Sequence, residues 1–351
     1  MDSDIALIWI FLILVIAIVV FGAAIFFSIR KPDSKNPQRP LNVYLMRRIF
    51  RSAIKKIETN IISSNKKYDI PWVVLFNEGT TEQRLPLEKS GITATLRSDD
   101  DNKLESTSFI WHFFSRGVLI ELNSDSLRAG EFDDISENRW EEFLRLCGSY
   151  RSQRPIDSIV ISIPANLLLK GSSEKDVKQR ISDLAENTSR RIWIAQNRYA
   201  MRFGVYVVIS GCEEVEGFSE FGSVLPKSMK DGIFGWSSPH DASVIFNSTW
   251  VGEAFDSIES SVLRLTAELA ASDVRSGARI KEFLLPSNIA KLRSGLQVYL
   301  QKLMGINSFH EPFFFRGIYL SGQQDAPLFL KDVFEIKFFP VFQLCQNIFF
   351  H

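Results

Sequence analysis

The sequence predicts an α/β protein built on a doubly wound, mainly parallel sheet, and three observations carry that reading. Five short apolar runs, "WVVLF" (72–76), "GVLIEL" (117–122), "SIVISI" (158–163), "VYVVI" (205–209) and "GIYLS" (317–321), are continuous rather than alternating, the pattern of strands buried on both faces. Helical patterns separate them, around residues 137–148, 174–197, 253–272 and 287–304. With 351 residues, 45% of them hydrophobic, the chain can bury a large core.

In chain order, the first element is an uninterrupted apolar run, "IALIWIFLILVIAIVVFGAAIFF" (5–27). At about 1.5 Å per residue it is long enough to cross a hydrocarbon core of roughly 30 Å. We read residues 1–29 as an anchor with one N-terminal transmembrane helix. A cleaved signal peptide is the alternative. The length of the run, its acidic start "MDSD" and the lack of a small-residue cleavage site at Ser28, Ile29 and Arg30 oppose it. Asp2 and Asp4 precede the run, whereas Arg30, Lys31, Lys35, Arg39, Arg47, Arg48 and Arg51 follow it. The positive side stays in the cytoplasm, so a single-pass protein of the bacterial inner membrane with a cytosolic soluble part is expected. Gly22, Ala23 and Ala24 form no small-xxx-small pair, and self-association into a homo-oligomer through this helix is left open.

Residues 30–64 hold a Pro-interrupted polar linker, "RKPDSKNPQRP", followed by Leu45, Ile49, Ile54, Ile57 and Ile61 at near-helical spacing. An amphipathic helix over 43–63 follows. Its basic face, with Arg47, Arg48, Arg51, Lys55 and Lys56, has two readings at this stage: contact with anionic headgroups of the lipid bilayer, or a solvated face without a lipid role. The predicted sheet domain occupies residues 65–240. Residues 241–351 form a helical C-terminal extension with a final strand and the aromatic tail "VFQLCQNIFFH", too short to span a membrane.

In a parallel sheet, ligands bind beyond the carboxyl ends of the strands, so three loops decide the chemistry. A phosphate loop reads G-x-x-x-x-G-K-[ST], in which backbone N–H groups cradle the phosphates, Lys reaches them and the hydroxyl holds Mg²⁺. After "WVVLF" the corresponding residues are Asn77, Glu78, Gly79, Thr80, Thr81, Glu82, Gln83 and Arg84. Glu82 puts a carboxylate in place of the second glycine, Gln83 replaces the lysine, and Arg84 stands where a metal-binding hydroxyl is required. After "GVLIEL" a metal-proximal Asp is represented by Glu121, with Leu122 and Ser124 in place of the hydroxyl and glycine of a D-T-A-G-like turn. After "VYVVI" a base-reading [NT]-K-x-D is replaced by Ser210, Gly211, Cys212 and Glu213. Three degenerate loops at the expected strand ends point to a P-loop NTPase scaffold that has lost its chemistry. The reading assigns no catalytic residue and no cofactor; Asn77, Glu82, Gln83, Arg84, Glu121 and Glu213 are degenerate positions, and nucleotide binding is not expected. The alternative, a membrane-tethered NTPase with Arg84 on the phosphates and Glu121 on the metal, is opposed by Glu82.

Other chemistries find little support. Lys+Arg and Asp+Glu number 41 each, which gives no field for nucleic acid. Cys147, Cys212 and Cys345, and His112, His240, His310 and His351, are scattered without metal-ligand spacing. Asp99, Asp100 and Asp101 lack the glycine and terminal Glu of a calcium loop, and no G-x-S-x-G elbow is present.

A set of further segments, in order along residues 65–340, carries a resemblance. "IPWVVLFNEGTTEQ" (70–83), "KSGI" (89–92), "WHFFSRGVLIE" (111–121), "WEEFLRLCGSYRSQRP" (140–155), "GVYVVISGCEEVEGFSEF" (204–221), "FRGIYLSG" (315–322) and "FLKDVFEIKFFP" (329–340) resemble the N-terminal cytoplasmic region of the TssM/IcmF membrane proteins of type VI secretion systems and their type IV relatives. The resemblance implies a structural component that contacts other membrane-complex and baseplate proteins of such an apparatus. The family has two early membrane helices, a third span and a periplasmic region, whereas this chain has one early helix and ends at His351. A truncated or split form, including a paralogue without function, is therefore also considered.

Overall fold

Why the apolar runs are continuous is plain from the sheet they build. The strands, in chain order, are β1 (Trp72–Asn77), β2 (Lys103–Glu105), β3 (Phe109–Phe114), β4 (Gly117–Leu122), β5 (Ser158–Pro164), β6 (Met201–Arg202), β7 (Gly204–Ser210), β8 (Gly235–Ser237), β9 (Phe314–Leu320) and β10 (Gln346–Asn347). Eight of them form one sheet in the order β2-β3-β4-β1-β5-β7-β9-β8. The five central strands run parallel, as β1 pairs with β4 and β5, β5 with β7, and β7 with β9. Antiparallel β3 and β2 finish one edge and β8 the other. Every residue of β1, β4, β5 and β7 is buried, so a polar position would be costly on either side. The computed structural model describes residues 39–60, 67–93, 103–105, 109–122, 134–171, 174–241, 243–272, 279–305, 312–339 and 346–347.

The helices of seven residues or more among the described residues are α1 (Arg39–Asn60), α2 (Asp134–Tyr150), α3 (Ala165–Gly171), α4 (Lys175–Tyr199), α5 (Phe218–Val224), α6 (Thr249–Ser272), α7 (Arg279–Ala290) and α8 (Leu292–Leu303). Their buried apolar residues, among them Phe50, Phe143, Ile181, Val251 and Leu296, join Val74, Phe76, Ile120 and Ile161 in one core cluster. Strand alternation sends Val73, Leu75, Leu119 and Val160 to the opposite face. There they meet Leu85, Leu87 and Ile92 from the loop after β1 and Leu330, Val333, Phe334 and Phe338, the last three on a π-helical segment, Val333–Phe338. This differs from the expected doubly wound arrangement. Among the described residues, the second face is covered by that loop and the π-helical segment, because the chain after β1 does not enter a helix.

The strands β2, β3 and β8 lie outside the sequence expectation; β3 ("FIWHFF") is an apolar run long enough to read as a strand, and the hairpin turn at Ser115 and Arg116 joins it to β4. The apolar run expected as a strand at 317–321 falls largely in β9, which is hydrogen-bonded to β7 and so shares the main sheet. Among the described residues no helix is long and apolar enough to cross a membrane. The apolar run 5–27, most of the linker, Asp99 to Asp101, Asn123, Ser124, Cys345, His310, His351 and most of the aromatic tail lie outside the described residues.

Candidate functional site at the carboxyl edge of the sheet

The order of strand connections changes side at β1, which has parallel β4 on one side and parallel β5 on the other. This is the topological switch point at which an open α/β sheet presents a ligand crevice. The loop leaving β1 fills that position with its own bonds. Asn77, buried, accepts from the Gly79 N–H at 3.0 Å through Oδ1. Gln83 Oε1 accepts from the Thr80 N–H at 3.0 Å. The first helical turn after β1 is the three-residue 3₁₀ turn Thr81–Gln83, with Arg84 already extended, and the next, Leu87–Lys89, is equally short. Pro86 lies between the two, biasing the preceding residue away from helical backbone. A phosphate loop needs a helix N-terminus with free N–H groups; here the turn uses the Gln83 N–H on Thr80 O at 3.0 Å.

The predicted positions partly converge. Arg84 Nε lies 3.2 Å from Glu121 Oε1, both side chains largely buried. On its other oxygen Glu121 faces His112 Nε2, also at 3.2 Å. One carboxylate at the end of β4 thus sits between a guanidinium and an imidazole. Glu82 is exposed at the rim of the same cleft, about 230 Å³ in volume, with Glu88, Lys89 and Gln324. Glu213 is elsewhere: its Oε2 accepts from the Gln323 N–H at 2.7 Å. Among the described residues no group of His, Cys, Asp and Glu side chains has metal-binding geometry.

Sequence reading missed what gathers these loops, the turn following β9. Gln323 bonds to Glu213, Gln324 Nε2 donates to Arg84 O at 3.2 Å, and Asp325 pairs with Lys89 at 2.7 Å. Gly322 permits the approach, since a Cβ there would stand 2.9 Å from Glu213 Oε2. Glu78 was also missed. It turns to the helical face, where its buried carboxylate accepts from Thr188 Oγ1 at 2.6 Å and from the Tyr299 hydroxyl. Burial raises its pKa against the opposing effect of both hydrogen bonds and the nearby Arg191. The thiols of Cys147 and Cys212 are buried and pushed up by desolvation, away from reactive thiolate character.

Fold and loops define an α/β domain with a mainly parallel sheet, in which the loop after β1 is closed by internal polar contacts. A sequence model described as the IcmF-related N-terminal domain matches residues 133–336, and the chain belongs to this TssM/IcmF family. It is 24% identical over 279 residues to the type VI secretion system component TssM1 of Pseudomonas aeruginosa, a match that covers 74% of this chain and 24% of that protein. The chain therefore spans about a quarter of that relative's length. No solved structure matches the chain.

Proposed function

We propose that the protein is a non-hydrolysing structural component of a type VI-like secretion apparatus, held in the bacterial inner membrane by residues 1–29. In this reading residues 30–64 link the anchor to a pseudo-NTPase domain of P-loop descent in residues 65–240, and residues 241–351 extend it. The cytosolic surface contacts other membrane-complex and baseplate proteins. Family membership supports the apparatus. The observation that carries the non-hydrolysing part is the Arg84–Glu121 ion pair: the two residues that a noncanonical NTPase would need on phosphate and metal are spent on each other. Arg84 holds the loop after β1 against the end of β4, a bridge that Mg²⁺ and γ-phosphate make in a working enzyme.

The test is calorimetry of the full chain in nanodiscs with Mg-ATP and Mg-GTP, together with crosslinking in cells. No nucleotide heat, and crosslinks to apparatus proteins, are expected. Micromolar, Mg²⁺-dependent binding would overturn the pseudo-NTPase reading; crosslinking that recovers no apparatus protein would overturn the scaffold reading and favour a fragment without assembled function.

A further inference from the structure

The outward side of α1 carries a row of cations that the packing of the fold does not use. α1 buries Met46, Phe50, Ala53 and Ile57, spaced so that all four fall on one side of the helix. Arg48 and Lys55 project nearly opposite that stripe, with Arg51 beside them, and all three are exposed. Their neighbours are engaged: Arg47 Nε pairs with Glu142 Oε1 at 2.6 Å, and Lys56 Nζ lies 5.9 Å from the Phe113 ring centroid. Among the described residues, no carboxylate comes within ion-pair distance of Arg48, Arg51 or Lys55. Glu58, the acid one turn further on, accepts from the Tyr150 hydroxyl at 3.2 Å.

We propose that Arg48, Arg51 and Lys55 bind the phosphate-bearing headgroups of anionic lipids, resting on the membrane-anchored reading above. Three arguments select this ligand. The three cations lie along about 10 Å of a convex helix surface, which suits a plane of many phosphates. A single soluble phosphate would need a concave site, and mid-helix backbone N–H groups are not free to contribute to one. The guanidinium groups of Arg48 and Arg51 match phosphate oxygens in a bidentate manner. Finally, the sequence between Phe27 and Arg39 reaches at most about 40 Å even when fully extended, so an anchored chain keeps this stripe at high effective concentration near the headgroups.

The test uses the full chain with Cys345→Ser and Ser52→Cys, the latter carrying an environment-sensitive fluorophore; Cys147 and Cys212 are buried. Reconstitution is compared in vesicles of phosphatidylcholine alone and in vesicles also containing phosphatidylglycerol. The expected result is a blue shift with phosphatidylglycerol that salt reverses. In the variant carrying Arg48→Glu, Arg51→Glu and Lys55→Glu the phosphatidylglycerol-dependent blue shift should be lost at lipid compositions that saturate it in the natural stripe. The salt titration of the unsubstituted stripe decides the matter if the triple variant fails to fold. An equal shift from inorganic phosphate with neutral vesicles would overturn the lipid assignment. Indifference to phosphatidylglycerol would overturn it too, in favour of an acidic protein surface. Flotation with neutral vesicles after an alkaline wash reports the anchor separately: if flotation fails, the anchored reading falls and this inference with it, whereas flotation with an indifferent label sinks only this inference.

Discussion

Thr188 Oγ1 donates a 2.6 Å hydrogen bond to Glu78 Oε1, joining the middle of α4 to the first residue beyond β1. The Tyr299 hydroxyl of α8 reaches the same oxygen, so one buried carboxylate fixes two helices over the carboxyl edge of the sheet. Burial raises its pKa from 4.5, which means that the folded state binds this proton more tightly than the unfolded chain. Its stabilising contribution is therefore complete below 4.5 and is lost as pH rises through the folded value. Thermal unfolding across that range should show a midpoint that, relative to Glu78→Gln, which keeps the acceptor and removes the charge, falls in the natural chain as pH rises. Parallel slopes in both proteins would refute the assignment. Glu78→Ala leaves the hydroxyls of Thr188 and Tyr299 without their acceptor and should cost about 2 to 4 kcal/mol at any pH.

Bringing the loop after β1 closer to the phosphate-loop consensus should not confer nucleotide binding. Glu82→Gly, Gln83→Lys and Arg84→Ser together supply the second glycine, the lysine and the hydroxyl, with Asn77 left at the first glycine position, but the helix that should follow them is not there. The turn ends at Gln83, and Leu85 and Leu87 are buried against the sheet, which holds the loop away from a helical path. Calorimetry of the triple variant with Mg-GTP is expected to give no heat of binding. Micromolar binding would mean that side-chain chemistry alone had silenced the loop.

Removing Arg84 should leave the Glu121 carboxylate buried with only His112 beside it. Breaking a buried pair from one side typically costs about 3–5 kcal/mol; Arg84 retains 17% side-chain exposure, so about 2 kcal/mol is expected for Arg84→Ala. Glu121→Gln in the same background should recover part of the loss, since it removes the stranded charge. A double-mutant cycle by chemical denaturation measures this coupling. Additive effects of the two changes would show that the ion pair does not hold the loop.

Much of this architecture is legible in the sequence, for identifiable reasons. The parallel strands announce themselves because Val73, Val74, Leu75 and their counterparts face apolar surroundings on both sides. Asn77, Gln83 and Arg84 could be assigned to one loop from the strand that precedes them. The sequence gives no local sign that β1 runs into a loop in place of a helix, because that depends on Leu85 and Leu87 finding the π-helical segment some 245 residues later. The same distance hides Gln323, Gln324 and Asp325, whose partners Glu213, Arg84 and Lys89 lie in separate loops. Glu78 reads as part of a phosphate loop until Thr188 and Tyr299 are seen around it.

Gly117 opens β4 where Phe339 leans on the backbone: a Cβ there would stand 2.2 Å from Phe339 Cδ1. Gly117→Ala should therefore push the aromatic ring off the second face of the sheet and cost about 1–3 kcal/mol. Phe339→Leu alone loses packing against Phe114 and Phe334, yet combined with Gly117→Ala it should cost less than the sum of the two. Strict additivity in thermal unfolding would place the clash elsewhere.

The opposite, amino-terminal edge of the sheet depends on one aspartate. Asp157 Oδ2 accepts from the Trp72 N–H at 2.6 Å and from Arg151 Nη1 at 2.8 Å, while Oδ1 faces Arg154 Nε at 2.5 Å. Arg151 is completely buried, its guanidinium stacked 5.1 Å from the Trp72 ring. Asp157→Asn preserves shape and one acceptor but leaves two guanidinium groups with no counter-charge from this side chain. A loss of about 3–5 kcal/mol follows from stranding a buried charge. Because Asp157 precedes β5 and Trp72 opens β1, the damage should appear as faster amide exchange in those two strands before β7 or β9 is affected. Exchange that rises uniformly across the sheet would mean that Asp157 contributes to global stability without specifically pinning this edge.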